Sequence, residues 1–284
     1  MTLDALRDAN GVFRVLAIDH RDSLRRFLAP NDPSSVTRAD IVDLKRSLIR
    51  SVAPHATGVM LEPEYSIPDL VPELPHGVGF FAALEAQGYL DDPAGSVTSV
   101  MPGWSVAAAV ASGASCAKLL LPFHPDRPTA DAQVAVAASV VAECREAGVP
   151  VVLEPLFFGL DDPSDRFRVV QRTAVLFAAL GPDLLKLPFP VDPDLVTDPD
   201  ERIDACGAIT EVCRQPWAIL SGGGTFESFA QQVSDAFAGG ASGFMVGRAL
   251  WGEAARARGD ERQRIIDSVV LPRWRALSAI ESAA

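Results

Sequence analysis

Residues 115–157 read SCAKLLLPFHPDRPTADAQVAVAASVVAECREAGVPVVLEPLF. The two ends, SCAKLLL (115–121) and VVLEPLF (151–157), are aliphatic runs of strand length. Between them, the Ala/Val-rich stretch 131–147 reads as a helix stopped by Gly148. Two strands that are apolar on both faces and joined by a helix predict a parallel β-α-β unit. Six further runs of the same kind lie outward from it: VFRVLAID (12–19), GVMLE (58–62), VGFFAAL (78–84), LLKLPF (184–189), WAILS (217–221) and GFMVG (243–247). Helical patterns fall at 38–53, 164–180 and 226–238. In the first, Ile41, Leu44, Leu48 and Val52 form one stripe behind a Thr37–Asp40 capping box. The other two end at Gly181 and at Gly239-Gly240. Eight strands alternating with helices over 284 residues predict an α/β fold, a closed (β/α)8 TIM barrel forming one domain over 1–284. The glycine run SGGG (221–224) is not GxGxxG, and no such fingerprint follows the first strand, which argues against a dinucleotide fold.

Composition narrows the partners. Thirty-seven acidic against 25 basic residues give a net charge of −12, unsuited to nucleic acid or an anionic membrane. No apolar run approaches the roughly 18 residues of a membrane span, and the N-terminal stretch has no secretion signal, so a cytoplasmic location is expected. Cys116, Cys144, Cys206 and Cys213 form no CxxC pair and read as buried free thiols. No HxxxH or HExxH spacing joins His20, His55, His76 and His124, so no metal or other cofactor is expected.

Lysine is scarce. Lys45, Lys118 and Lys186 stand among 25 basic residues. Lys45 lies in a polar helical stretch and reads as solvated; Lys118 and Lys186 interrupt aliphatic strands. In a barrel, residues at the C-terminal ends of strands face the active site. The strand ends here carry Asp19-His20-Arg21, Glu62, Lys118, Glu154, Lys186, Ser221-Gly222-Gly223-Gly224 and Gly247-Arg248. Period-two alternation puts Cys116, Lys118 and Leu120 on one face, and Leu184, Lys186 and Pro188 on one face. Lys118 and Lys186 are then expected to face Asp19 and Glu154 as a neutral set of two ammoniums and two carboxylates. A purely structural ion cluster is the plainer alternative, but desolvation makes such clusters weak stabilisers. A lysine, unlike an arginine, can shed its proton. Burial and a nearby cation lower an amine pKa from about 10.4 towards roughly 7–8, where it becomes a nucleophile. The SGGG run ahead of Thr225 and a helix, with Arg248 one strand on, reads as a backbone-amide cradle for an anion.

These residues resemble class I (Schiff-base) aldolases of the tagatose-bisphosphate and sulfofructose-phosphate type. The similarity runs in order through LAIDHR (16–21), GVMLEPEYS (58–66), LEAQGY (84–89), AKLLL (117–121), VVLEP (151–155), LLKLP (184–188), WAILSGGGTFESF (217–229) and GASGFMVGRALW (240–251). The resemblance implies that Lys186 is the Schiff-base lysine, Lys118 the second active-site lysine, Glu154 the acid/base and Asp19 the first-strand acid. It implies anion binding by Arg21 and by Ser221, Gly222, Gly223, Gly247 and Arg248, with His20 among the substrate-binding residues. It further implies a phosphorylated or sulfonated sugar as substrate, no cofactor, and a homo-oligomer. Two positions depart from the family: His20 replaces its usual glutamine, and Pro188 stands where relatives commonly carry an acid. Other readings stay open on sequence: Schiff-base chemistry on another or unphosphorylated donor, a metal-dependent barrel aldolase, or a sugar-phosphate-binding regulator without turnover.

Overall fold

The computed structural model describes residues 3–88 and 91–281. Its eight strands are β1 (Phe13–Ala17), β2 (Gly58–Leu61), β3 (Gly79–Ala83), β4 (Cys116–Pro122), β5 (Val151–Leu156), β6 (Leu184–Leu187), β7 (Trp217–Leu220) and β8 (Gly243–Val246). All pair in parallel in chain order, and β8 closes on β1 through Phe13↔Gly243 and its successors. The expected TIM barrel is the fold observed.

Each crossover carries helix. Arg38–Val52 starts with the expected capping box: the Thr37 hydroxyl accepts from the Asp40 amide, and the Asp40 carboxylate accepts from the Thr37 amide. Ala130–Ala147 ends on Gly148 at φ 66°, a left-handed position that glycine adopts without a Cβ clash. Arg166–Ala178 and Phe226–Ala238 fill the expected stretches. The sequence reading passed over Val106–Ala111, Pro199–Val212 and the helices from Arg248 to Ser278.

The core has two parts. The larger fills the space between sheet and helices; the smaller fills the barrel with Phe13, Val15, Ala17, Met60, Phe81, Cys116, Val152, Leu184, Ala218 and Met245, plugged below by Leu6. This apolar floor places the polar residues above it. Two positions beyond Ala17, Cys116, Val152 and Leu184 come Asp19, Lys118, Glu154 and Lys186, and a strand returns to the same face every second residue. All four cysteines are buried, and burial pushes the thiols of Cys144, Cys206 and Cys213 up to about 12. Among the described residues no helix is long and apolar enough to cross a membrane.

Candidate active site

Lys118 and Lys186 both sit above the apolar floor, but in different company. Lys118 Nζ donates to Asp19 Oδ2 at 2.8 Å and to Glu85 Oε1 at 2.7 Å, and lies 3.0 Å from Glu154 Oε2. Among the described residues Lys186 Nζ has one carboxylate neighbour, Glu154 Oε1 at 2.7 Å, and touches Met60 Sδ at 3.6 Å. Glu154 therefore joins the two lysines, one to each oxygen. Lys118 is 1% exposed and Lys186 5%, so both ammoniums depend on these partners for solvation. Burial alone would raise the Asp19 carboxyl, but the ammoniums of Lys118 and Lys186 outweigh it and hold that group well below the usual carboxylate range.

The set is larger than expected from sequence. Glu85, just past β3, is a third carboxylate; its second oxygen accepts the Leu120 amide at 3.1 Å. Arg21 stands 3.9 Å from Glu85 and restores the charge balance. Asp19 bonds Lys118 and reaches Lys186 only through its field, so it does not hold both lysines directly. Arg21, expected at a terminal anion, is 1% exposed and donates to the Glu85 carbonyl at 2.6 Å and to Met101 Sδ at 3.4 Å. It lines a cavity of about 50 Å3 with Lys118, away from the glycine cradle. Of the LEAQGY motif, Tyr89 lies outside the described residues.

Two other expectations are corrected. Lys45 is not solvated: it is 1% exposed and donates to Glu62 Oε1 at 2.5 Å and to Ser66 Oγ at 3.2 Å. Glu62 also accepts the amides of Glu64 and Tyr65, so it orders the turn after β2 and does not line the cavities around Lys186. Pro188 lines a neighbouring space with Arg166, Ser221 and Gly222 and brings no carboxylate to it.

The anion cradle is present as a backbone shape. Gly222 and Gly223 adopt φ 56° and 83°, and Gly224 closes the turn onto the Ser221 carbonyl at 3.2 Å. A Cβ on Gly223 would lie 3.4 Å from the Arg248 guanidinium, so glycine there lets the arginine fold over the loop. Thr225 caps the helix that follows, and the Gly247 amide faces Ser221 Oγ at 3.5 Å. A cavity of about 160 Å3 joins this cradle to Lys186; Ser221, Gly222, Gly223, Gly247, Arg248, His20, Glu154 and Lys186 all line it. His20 packs edge to face with Trp251, and burial together with Arg248 and Lys186 pushes its imidazole down to about 3. No group of three or more His, Cys, Asp or Glu side chains is arranged for a metal among the described residues.

Residues 13–253 match the profile described as DeoC/LacD family aldolase. The chain belongs to the DeoC/LacD aldolase family. This aldolase, a carbon–carbon lyase, is similar to the tagatose 1,6-diphosphate aldolase of Listeria monocytogenes serotype 4a (strain HCC23), 24% identical over 91% of this chain and 83% of that protein. It is also similar to the tagatose 1,6-diphosphate aldolase of Lactococcus lactis subsp. lactis, 27% identical over 88% and 83%. Among solved structures, a Schiff-base-forming fructose-1,6-bisphosphate aldolase superposes with a TM-score of 0.67 at 21% identity, covering 97% of this chain and 96% of the other. The fructose-bisphosphate aldolase of Slackia heliotrinireducens gives 0.68 at 18% identity, covering 99% and 90%. At those identities the superpositions speak for the fold of the aldolase.

Proposed function

We propose that this aldolase cleaves a ketohexose phosphate reversibly, through a Schiff base on Lys186, to dihydroxyacetone phosphate and a three-carbon aldehyde. The substrate is of the tagatose-1,6-bisphosphate or 6-deoxy-6-sulfofructose-1-phosphate kind. The observation that carries the reading is the contrast between the lysines. Three carboxylates surround Lys118, while among the described residues Lys186 has one carboxylate partner, Glu154, to which it can hand its proton across 2.7 Å.

The steps follow from that pairing. Glu154 takes the proton of Lys186, and the free amine attacks the C2 ketone. The former ketone oxygen takes one proton from the attacking nitrogen and a second from protonated Glu154, water leaves, and an iminium forms. The carboxylate then removes the proton of the C4 hydroxyl. The C3–C4 electrons flow into the iminium as the aldehyde is released. The resulting enamine is protonated at C3, and water hydrolyses the second iminium to free dihydroxyacetone phosphate. Lys118, 3.0 Å from Glu154 Oε2, keeps that carboxylate aimed at Lys186; Asp19 and Glu85 hold Lys118. The Gly222–Gly223 amides and Arg248 take the C1 phosphate.

Borohydride reduction in the presence of dihydroxyacetone phosphate, read by intact and peptide mass, tests the reading. The expected result is one reduced adduct on Lys186, absent from Lys186→Ala, which loses at least about 10⁴ in kcat because its covalent nucleophile is gone. An adduct on Lys118 reverses the two roles. No adduct at all, or a Lys186→Ala variant that keeps most of its rate, refutes it.

A further inference from the structure

His20 is the one residue that lines both the space around Lys118 and the larger cavity leading from Lys186 to the glycine cradle while leaving both of its ring nitrogens without a hydrogen bond in the described residues. Nδ1 is wholly buried and faces Asp19 Oδ1 at 3.9 Å. Nε2 is therefore the atom a ligand can reach. The ring cannot swing away. It meets Trp251 edge to face, with centroids 5.4 Å apart, and it packs so closely on Gly247 that a Cβ there would lie 3.0 Å from Cε1 and 3.4 Å from Nε2. A partly buried imidazole packed between Trp251 and Gly247, with an open nitrogen, is an unfilled hydrogen-bonding position.

The donor half of the substrate says what fills it, and this step rests on the function proposed above. Dihydroxyacetone phosphate carries three polar groups. The phosphate goes to the cradle, and the C2 oxygen leaves with the help of Glu154. The C3 hydroxyl remains. A molecule with its phosphate against Arg248 and its C2 on Lys186 points C3 away from the cradle, towards the space around Lys118, and His20 lines that space as well as the cavity of the cradle.

We propose that His20 is a specificity-determining residue that holds the C3 hydroxyl through Nε2, making the aldolase select 3-hydroxy ketone phosphates over 3-deoxy ones. Burial and the neighbouring Arg248 and Lys186 keep the ring neutral throughout the neutral pH range, so it serves as a fixed hydrogen-bonding group and not as a charge.

The test compares dihydroxyacetone phosphate with hydroxyacetone phosphate, which lacks only the C3 hydroxyl, by the concentration of each that half-saturates borohydride trapping. Three proteins are used: the wild type, His20→Phe and His20→Gln. Phenylalanine keeps a flat ring against Trp251 without nitrogens, and glutamine keeps a donor and an acceptor. The wild type is expected to prefer the hydroxylated ligand by about tenfold, the worth of one well-made hydrogen bond. His20→Phe should fall to near parity, and His20→Gln should retain most of the preference. A His20→Phe protein that keeps the wild-type preference, or that loses both ligands to the same degree, overturns the proposal, as does a wild type with no preference. Failure of the wild type to trap either ligand speaks instead against the Schiff-base reading itself.

Discussion

Lys118 and Lys186 have identical chemistry on strands β4 and β6, and their neighbours alone set them apart. Among the described residues, removing Lys118 leaves Asp19 without an ammonium partner and Glu85 with Arg21 at 3.9 Å, while Glu154 keeps only Lys186. Removing Lys186 leaves Glu154 with Lys118 still beside it. Lys118→Met should therefore cost about 3–5 kcal/mol in urea unfolding, the usual penalty for orphaning buried charge, and Lys186→Met less than about 2. Equal losses would mean that the three carboxylates do not depend on Lys118. The residue scale is also where the sequence was least legible. Lys45 falls at i+4 from Ile41, within the stripe of Ile41, Leu44 and Leu48, so its burial was readable from period but was masked by its charge. Glu85 continues the inward series of Phe81 by period two, and counting past the end of β3 would have found it. Its bond to Lys118 crosses from one strand end to another, which no local pattern encodes.

Elements were more legible, because a strand buried on both faces must be apolar at every position while its ends need not be. Helices with a clear stripe or a glycine stop were found. Val106–Ala111 is too short to show a period, and Pro199–Val212 buries Arg202 along with Ala205, Cys206 and Ile209, so its stripe is mixed. Closure of the barrel depends on a feature of this scale. Phe13 pairs with Gly243 at the β1–β8 seam, and a Cβ at 243 would lie 2.3 Å from the Phe13 carbonyl oxygen. Gly243→Ala must push the two strands apart, and at least about 2 kcal/mol of stability should be lost. Gly207, inside the helix Pro199–Val212, has open space where its Cβ would go. Gly207→Ala should stabilise by about 0.5–1 kcal/mol from helix propensity alone. Thermal midpoints of the two variants should thus move in opposite directions; a Gly243→Ala midpoint at or above wild type would show that the seam relaxes freely.

For the whole molecule, the burial that shapes the site also sets how stability responds to acid. Histidine in an unfolded chain takes up a proton near pH 6.5. Folded His20 refuses it until about 3, because the ring is buried beside Arg248, Lys186 and Lys45, with only Asp19 favouring its charge. Between those limits the unfolded state binds more protons, so stability falls as pH drops, by about 1.4 kcal/mol per pH unit for each such group. Burial lowers His124 as well, so it adds to the slope over its own narrower window. Asp19 acts elsewhere. Its carboxyl is held below the ordinary range, so its contribution is intact above about pH 4 and is lost only as the pH falls towards its folded value. The loss of stability between pH 6 and pH 4.5 is therefore a histidine effect with His20 as its largest source. Replacing His20 by glutamine should remove that share, flattening the curve by roughly 1 kcal/mol per pH unit from about pH 6 to about pH 3.5, while the Asp19 contribution below pH 4 stays. Urea midpoints for wild type and His20→Gln at half-unit steps from pH 7 to pH 3.5 measure the difference directly. Parallel curves would mean that the folded protein protonates His20 as readily as the unfolded chain, and that the surroundings of His20 loosen in acid before the barrel does.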